Sequence, residues 1–373
     1  MRVALIEPGT LPAQTANSIQ RMKMAQALVA TGNTVRVFAP GAHPGVSWPE
    51  FANHYGLQHE FELEWVPNLP VLRKYDFAIH VLQRARAWGA DVLYSRSPQA
   101  ATWAAVHGLP SIFELHDIPM GFMGPWLLRR FLAASGARRL VANTQFLADT
   151  ITANYSVPAR EGFLLMAPNG VDLERYADLP APANARQQLG ILEGFTVGYT
   201  GHLYPGRGLE TILELAAALP DIRFLLVGGK PADVEAARQR AASLPNVTLT
   251  GFVPNGELPL YQAAADVLIM PYGQQVSGSS GGDIAPYLNP MKMFEYLACA
   301  RPIVTSDLPI LREILDDSNA IILPGQDNAA WVGALRALAG DVARRTTLSA
   351  AARRTAEQYT WQQRAHRLLA GLR

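Results

Sequence analysis

Short apolar runs alternate with longer segments of helical period along nearly the whole chain, and no other feature limits the possible folds as much. Strands are predicted at 2–6, 34–38, 91–94, 111–114 and 139–142. A second series follows at 195–199, 223–227, 247–250, 267–270, 303–305 and 321–323. Helical periods fill the gaps, notably at 17–30, 208–219, 231–242, 291–299 and 327–339. Such a rhythm builds parallel sheets covered by helices. With 373 residues, two doubly wound domains are expected. The proline-bearing stretch 178–184 reads as the linker between them. Ligands of open α/β sheets bind beyond the carboxyl ends of the strands, so the cleft between two such domains is the expected site.

Composition removes several function classes. Thirty-two basic residues against 31 acidic ones leave a net charge of +1, too little for a nucleic-acid partner. A single cysteine, Cys299, excludes an internal disulfide and a cysteine-rich zinc site. No apolar run approaches 18 residues, and the first is too short for a signal peptide. A cytoplasmic protein is expected. The segment 124–135 sets Trp126 and Leu127 beside Arg129 and Arg130, as a helix lying on a membrane would. An ordinary helix packing one face on a sheet has the same pattern and is the preferred reading. The nine basic and four acidic residues of 71–139 keep peripheral contact at the inner membrane face, and an anionic lipid acceptor, open.

Two segments carry the candidate chemistry. Gly201-His-Leu-Tyr-Pro-Gly-Arg-Gly208 lies between a strand and a helix. Its glycines let backbone approach a ligand, and Arg207 stands where a forked cation could clamp a diphosphate. In Asn289-Pro-Met-Lys-Met-Phe-Glu-Tyr-Leu-Ala298, Asn289 suits the helix cap and Pro290 the first turn. The amides of Met291 and Lys292 then point at an anion, and Glu295 could accept both hydroxyls of a ribose. An exposed helical glutamate is the alternative for Glu295, but Phe294, Tyr296 and Leu297 imply a largely buried helix.

Taken in order, these motifs resemble retaining GT-B glycosyltransferases, especially glycosyltransferase family 4. Pro168-Asn-Gly-Val-Asp172, Leu226-Val-Gly-Gly229, Gly251-Phe-Val-Pro254 and Arg301-Pro-Ile-Val-Thr305 extend the likeness through the second half. Ser111-Ile-Phe-Glu-Leu-His-Asp117 and Val141-Ala-Asn-Thr-Gln145 carry it into the first, and Tyr359-Thr-Trp361 resembles the start of the family's returning final helix. The resemblance implies two Rossmann-like domains facing a central cleft. An acceptor-side domain would span 1–177 joined by 358–373, and a nucleotide-sugar domain 178–357. It assigns catalysis to His116, Arg207 and Lys292. Donor binding falls to Gly201, His202, Phe252, Val253, Asn289, Met291 and Glu295, and the acceptor side to Thr15, Asn17 and Asp117.

The implied reaction moves a sugar, with retention, from a nucleotide diphosphate sugar to a glycan or lipid-linked acceptor, as in cell-surface polysaccharide or glycolipid synthesis. Neither metal nor cofactor is expected, because protein cations would neutralise the donor phosphates. UDP, GDP and ADP all remain open as the carrier. Two departures bear on the donor: His202 stands where the family often has Arg, and Tyr287 replaces the first acid of its Glu-x7-Glu signature. Asp283, in the Gly/Ser-rich stretch 277–283, is a candidate substitute, although loop acids are usually just solvated. A sugar-nucleotide epimerase or hydrolase, and a non-catalytic nucleotide-sugar-binding subunit, are the alternatives. A nicotinamide dehydrogenase is disfavoured, since no G-x-G-x-x-G follows the first strand.

Overall fold

A computed structural model describes residues 1–72, 74–278, 282–325 and 327–372. Residues 279–281 of the Gly/Ser-rich stretch, together with Arg73, Gln326 and Arg373, therefore lie outside the described residues. The chain divides into two compact units, Met1–Asn169 with Trp361–Arg373, and Gly170–Thr360. The division falls at 169/170, against the expected 177/178. The stretch predicted as linker opens a helix instead, Pro182–Leu189, because Pro182 sits at its first position, where a missing N–H costs nothing.

The first unit contains β1 (Arg2–Ile6), β2 (Thr34–Pro40), β3 (Glu62–Val66), β4 (Val92–Ser95), β5 (Ser111–Leu115), β6 (Ala137–Ala142) and β7 (Leu164–Met166). They pair in parallel in the order β3-β2-β1-β4-β5-β6-β7. Two of them escape prediction. Edge strand β3 alternates glutamates with apolar residues, and β7 is only three residues long.

The second unit contains β8 (Thr196–Thr200), β9 (Arg223–Val227), β10 (Val247–Gly251), β11 (Val267–Met270), β12 (Ile303–Ser306) and β13 (Ile321–Leu323). Their order is β10-β9-β8-β11-β12-β13, again parallel. Strand β11 explains why the apolar runs are continuous. Leu268 and Met270 enter one core with Phe294 and Leu297, while Val267 and Ile269 enter another with Ile212 and Trp331. A strand buried on both faces has no polar side to show. In each sheet the order reverses once, between β1 and β4 and between β8 and β11. The crevice at such a reversal is where doubly wound sheets take ligands.

Candidate active site

In the second unit, the reversal brings the loop after β8 against the residues that follow β11. A Cβ at Gly208, whose φ is +94°, would lie 2.3 Å from the Pro271 carbonyl oxygen. Only glycine allows both that backbone and that approach. A Cβ at Gly201 would meet Lys292 Nζ at 2.9 Å, so the lysine tip lies beside the start of the loop. Lys292 Nζ is 3.8 Å from the centre of the Tyr199 ring and 5.5 Å from that of Tyr272, while the Arg207 guanidinium lies 5.9 Å from the Tyr272 ring. The Nζ is buried and has no hydrogen-bond partner among the described residues. Burial holds the Lys292 amine well below the ordinary lysine range; Arg207 pushes the same way and Glu295 opposes. A guanidinium and a buried amine converging on aromatic faces, with no carboxylate bonded to either among the described residues, form a site for an anion, which would favour the charged amine.

The helix carrying Lys292 runs Met291–Cys299, and Pro290 occupies its cap position. The expected capping role of Asn289 is thereby corrected. Proline biases the residue before it away from helical geometry, and Asn289 stays one place outside. The amides of Met291 and Lys292 open the helix and so have no carbonyl one turn behind them. One turn further, Glu295 is half-buried, and its Oε2 accepts from Gln262 Nε2 at 3.1 Å. Gln262 is itself held by Tyr176, whose hydroxyl donates to Gln262 Oε1 at 2.9 Å. One carboxylate oxygen is thus fixed, which orients the other for a ligand hydroxyl. His202 stacks on Tyr204 at 4.7 Å, and the Tyr199 hydroxyl donates to its carbonyl at 2.7 Å. Phe252 and Val253 follow β10, two strands from β8; Phe252 is 37% exposed, whereas Val253 packs against a small apolar core.

In the first unit His116 follows β5, its side chain 12% exposed. Its Nε2 meets Glu114 Oε1, which also accepts from Arg364 Nη2 at 2.8 Å and Gln20 Nε2 at 3.0 Å, while the Tyr94 hydroxyl donates to Oε2. Burial lowers the His116 pKa to about 3, and Arg96 adds to this against the pull of Glu114. The ring is therefore neutral near pH 7. A carboxylate only accepts, so Nε2 carries the proton and Nδ1 is left as an acceptor. Burial alone would raise the Glu114 pKa, but Arg364 and His116 outweigh it and hold the carboxyl well below its usual range. Asp117 is exposed beside this cluster. Thr15 and Asn17 are engaged locally: Thr15 Oγ1 caps the helix Ala16–Ala30 by accepting from Ser18 N, and Asn17 Oδ1 accepts from Arg96 at 3.1 Å.

Residues 194–341 match the family described as Glycosyl transferases group 1, and residues 22–175 match Glycosyltransferase Family 4. The chain belongs to these glycosyltransferases, and its fold is GT-B. Phosphatidyl-myo-inositol mannosyltransferase of Mycobacterium leprae is 26% identical over 97% of this chain and 93% of its own length. D-inositol 3-phosphate glycosyltransferase of Geodermatophilus obscurus is 32% identical over 63% of this chain. The chain spans about half, 52%, of that relative's length. Among solved structures, Anabaena HepE in complex with UDP and glucose covers both chains fully, with a TM-score of 0.72 at 19% identity. WaaG, a glycosyltransferase involved in lipopolysaccharide biosynthesis, gives 0.67 at 19% identity over 99% of this chain and 100% of its own. These last two likenesses are of fold alone.

Sequence reasoning missed the partners that position this glycosyltransferase's candidate residues. Gln262 and Tyr272 lie in ordinary helical and post-strand contexts, and only the fold brings them to Glu295 and Arg207. An available signal was Glu114, an acid inside the apolar run Ile112-Phe-Glu-Leu115. A buried carboxylate requires a counter-charge, and here that is Arg364, 250 residues away. Asp283 is spent structurally: its Oδ1 accepts from the amides of Val276 at 2.9 Å and Ala285 at 3.0 Å.

Proposed function

We propose that this glycosyltransferase transfers a sugar, with retention of anomeric configuration, from a nucleoside diphosphate sugar to a glycan or lipid-linked acceptor. One observation carries the reading: the buried Lys292 amine and Arg207 converge where the glycine loop meets the helix Met291–Cys299, with no acceptor on Lys292 Nζ among the described residues. A diphosphate supplies the missing anion. As the bond from the anomeric carbon to phosphate oxygen breaks, negative charge grows on that phosphate, and Arg207, Lys292 and the helix amides stabilise it. The acceptor hydroxyl bonds to the anomeric carbon on the same face and passes its proton to the departing phosphate. Glu295 takes the ribose hydroxyls, and Phe252 and Val253 border the base; on the first unit, the Nδ1 of His116 serves as an acceptor for a sugar hydroxyl. The protein's own cations neutralise the phosphates, so no metal is required. HepE was solved with UDP and with UDP-glucose, which makes UDP the first carrier to try.

A thermal-shift series with UDP, GDP and ADP tests the reading. A carrier at 100 times its dissociation constant raises stability by about 2.7 kcal/mol. Failure of all three to raise the melting temperature overturns it. Transfer from the carrier's sugar should persist in EDTA; complete loss restored by manganese or magnesium overturns the metal-free part.

Peripheral membrane contact belongs to the same proposal. Phe122 is 84% and Met120 79% exposed, both just before the helix Met123–Leu132, which carries exposed Trp126, Arg129 and Arg130. Vesicles containing phosphatidylglycerol should sediment the protein and phosphatidylcholine vesicles should not; equal behaviour with both removes this part.

A further inference from the structure

Beyond the donor site, a cavity of about 680 Å³ opens along the outer edge of β3 in the first unit. Its floor is aromatic. Trp48 and Phe61 meet edge to face at 5.3 Å, His43 lies 4.5 Å from Trp65, and both tryptophans are half-buried, leaving part of each ring open. Its rim is polar. Arg36 reaches Glu62 and, at 3.0 Å, Glu64, while Glu60 is exposed. The groove thus offers donors and acceptors around flat apolar faces.

We propose that this groove binds a saccharide, a glycan segment held apart from the residue that receives the transferred sugar. The C–H face of a pyranose packs on the electron-rich face of an aromatic ring. Its equatorial hydroxyls then reach a surrounding ring of carboxylates and guanidinium, each able to serve several hydroxyls. Other occupants fit less well. Three glutamates along a sheet edge discourage pairing with another strand, so an extended peptide or a second copy is disfavoured. The acids outnumber the cations on the rim, which disfavours an anionic headgroup. Across the sheet, β3 stands four strand places from β5, about 19 Å at 4.7–4.9 Å per place. Any saccharide reaching both the groove and His116 is therefore an oligosaccharide. In this form the inference rests on the glycosyltransferase reading for its use, but not for its test.

Saturation-transfer NMR with maltohexaose, chitohexaose and a linear mannohexaose, without any nucleotide, decides it. At least one should receive saturation at its ring C–H protons. Trp65→Ala should weaken that binding about tenfold or more, and Glu60→Gln should weaken it less, with thermal melting used to check that both variants are folded. Absence of transfer to all three overturns the proposal, as does undiminished transfer in a folded Trp65→Ala. Pairing of an added peptide or self-association through this edge, lost on substituting Trp65, also overturns it. Failure here leaves donor binding by Lys292 and Arg207 untouched, and failure of UDP to bind leaves the groove's saccharide binding intact.

Discussion

In the first unit a buried carboxylate, Glu114, is enclosed by Arg364, His116, Gln20 and Tyr94. In the second a buried amine, Lys292, faces two tyrosine rings and a second cation, Arg207. The first cluster closes around its charge, both oxygens of Glu114 being hydrogen-bonded within the unit. The second is left one anion short. A closed cluster holds a fold in one arrangement, whereas an incomplete one costs stability and is worth keeping only if something arrives to complete it.

The largest expected effect comes from opening the closed cluster. Arg364→Ala should cost about 3–5 kcal/mol in denaturant unfolding, because it strips the main counter-charge from Glu114 and frees the Ala167 and Pro168 carbonyls. A loss below about 1 kcal/mol would remove the contrast. Next, Arg207→Ala should lower kcat by about 2.7–4 kcal/mol, or a hundredfold to a thousandfold, with little change in melting temperature. Arg207→Lys should recover part of that, the charge returning without the fork.

Lys292→Met is the sharpest comparison with Arg364. Removing a buried amine that has no hydrogen-bond partner among the described residues should leave stability equal or higher, yet weaken UDP binding by about 1.5–3 kcal/mol. The sign of the pH effect follows from the depressed pKa of the empty site. A bound diphosphate favours the charged amine, so binding takes up a proton. Affinity then falls as pH rises from the depressed value toward the ordinary lysine range. Calorimetry in buffers of different ionisation heat should report that uptake in the native protein and lose it in the variant. His116, lowered to about 3, should by contrast give kcat no titration near its ordinary 6.5. It should cost stability on acidification from about 6.5 toward 3, where the unfolded chain binds the extra proton.

The smallest effect is a control on the same helix. Ala300 ends Met291–Cys299 at φ +53°, in left-handed backbone that suits glycine. Ala300→Gly should stabilise by about 1 kcal/mol without altering UDP affinity. A change in affinity would mean that Lys292 responds to its helix as a whole, not to local charge.

Much of the fold was legible because buried parallel strands are written as unbroken apolar runs, as at 223–227 and 267–270. The glycine loop and the Lys292 helix were legible because their chemistry is local, contained within ten residues. The pairs that join distant segments were not, since neither Arg364 to Glu114 nor Gln262 to Glu295 leaves any mark in spacing. Asn289 was misplaced by a single position, since cap preference and the constraint before proline compete there and proline's geometry prevailed.

One consequence lies in the path of the chain. Residues 170–360 form the second unit, and the segment that carries Arg364 returns only afterwards to the first. Within the second unit the two ends of that excursion run side by side, Val171 bridging Thr360. On the ribosome, domains tend to fold as they emerge, N-terminal first. Here that order is reversed. The second unit can finish while the first still waits for the counter-charge of Glu114. A nascent chain stalled before Trp361 should therefore hold one protease-resistant unit and one still vulnerable, and it should be the earlier-made unit that is cut.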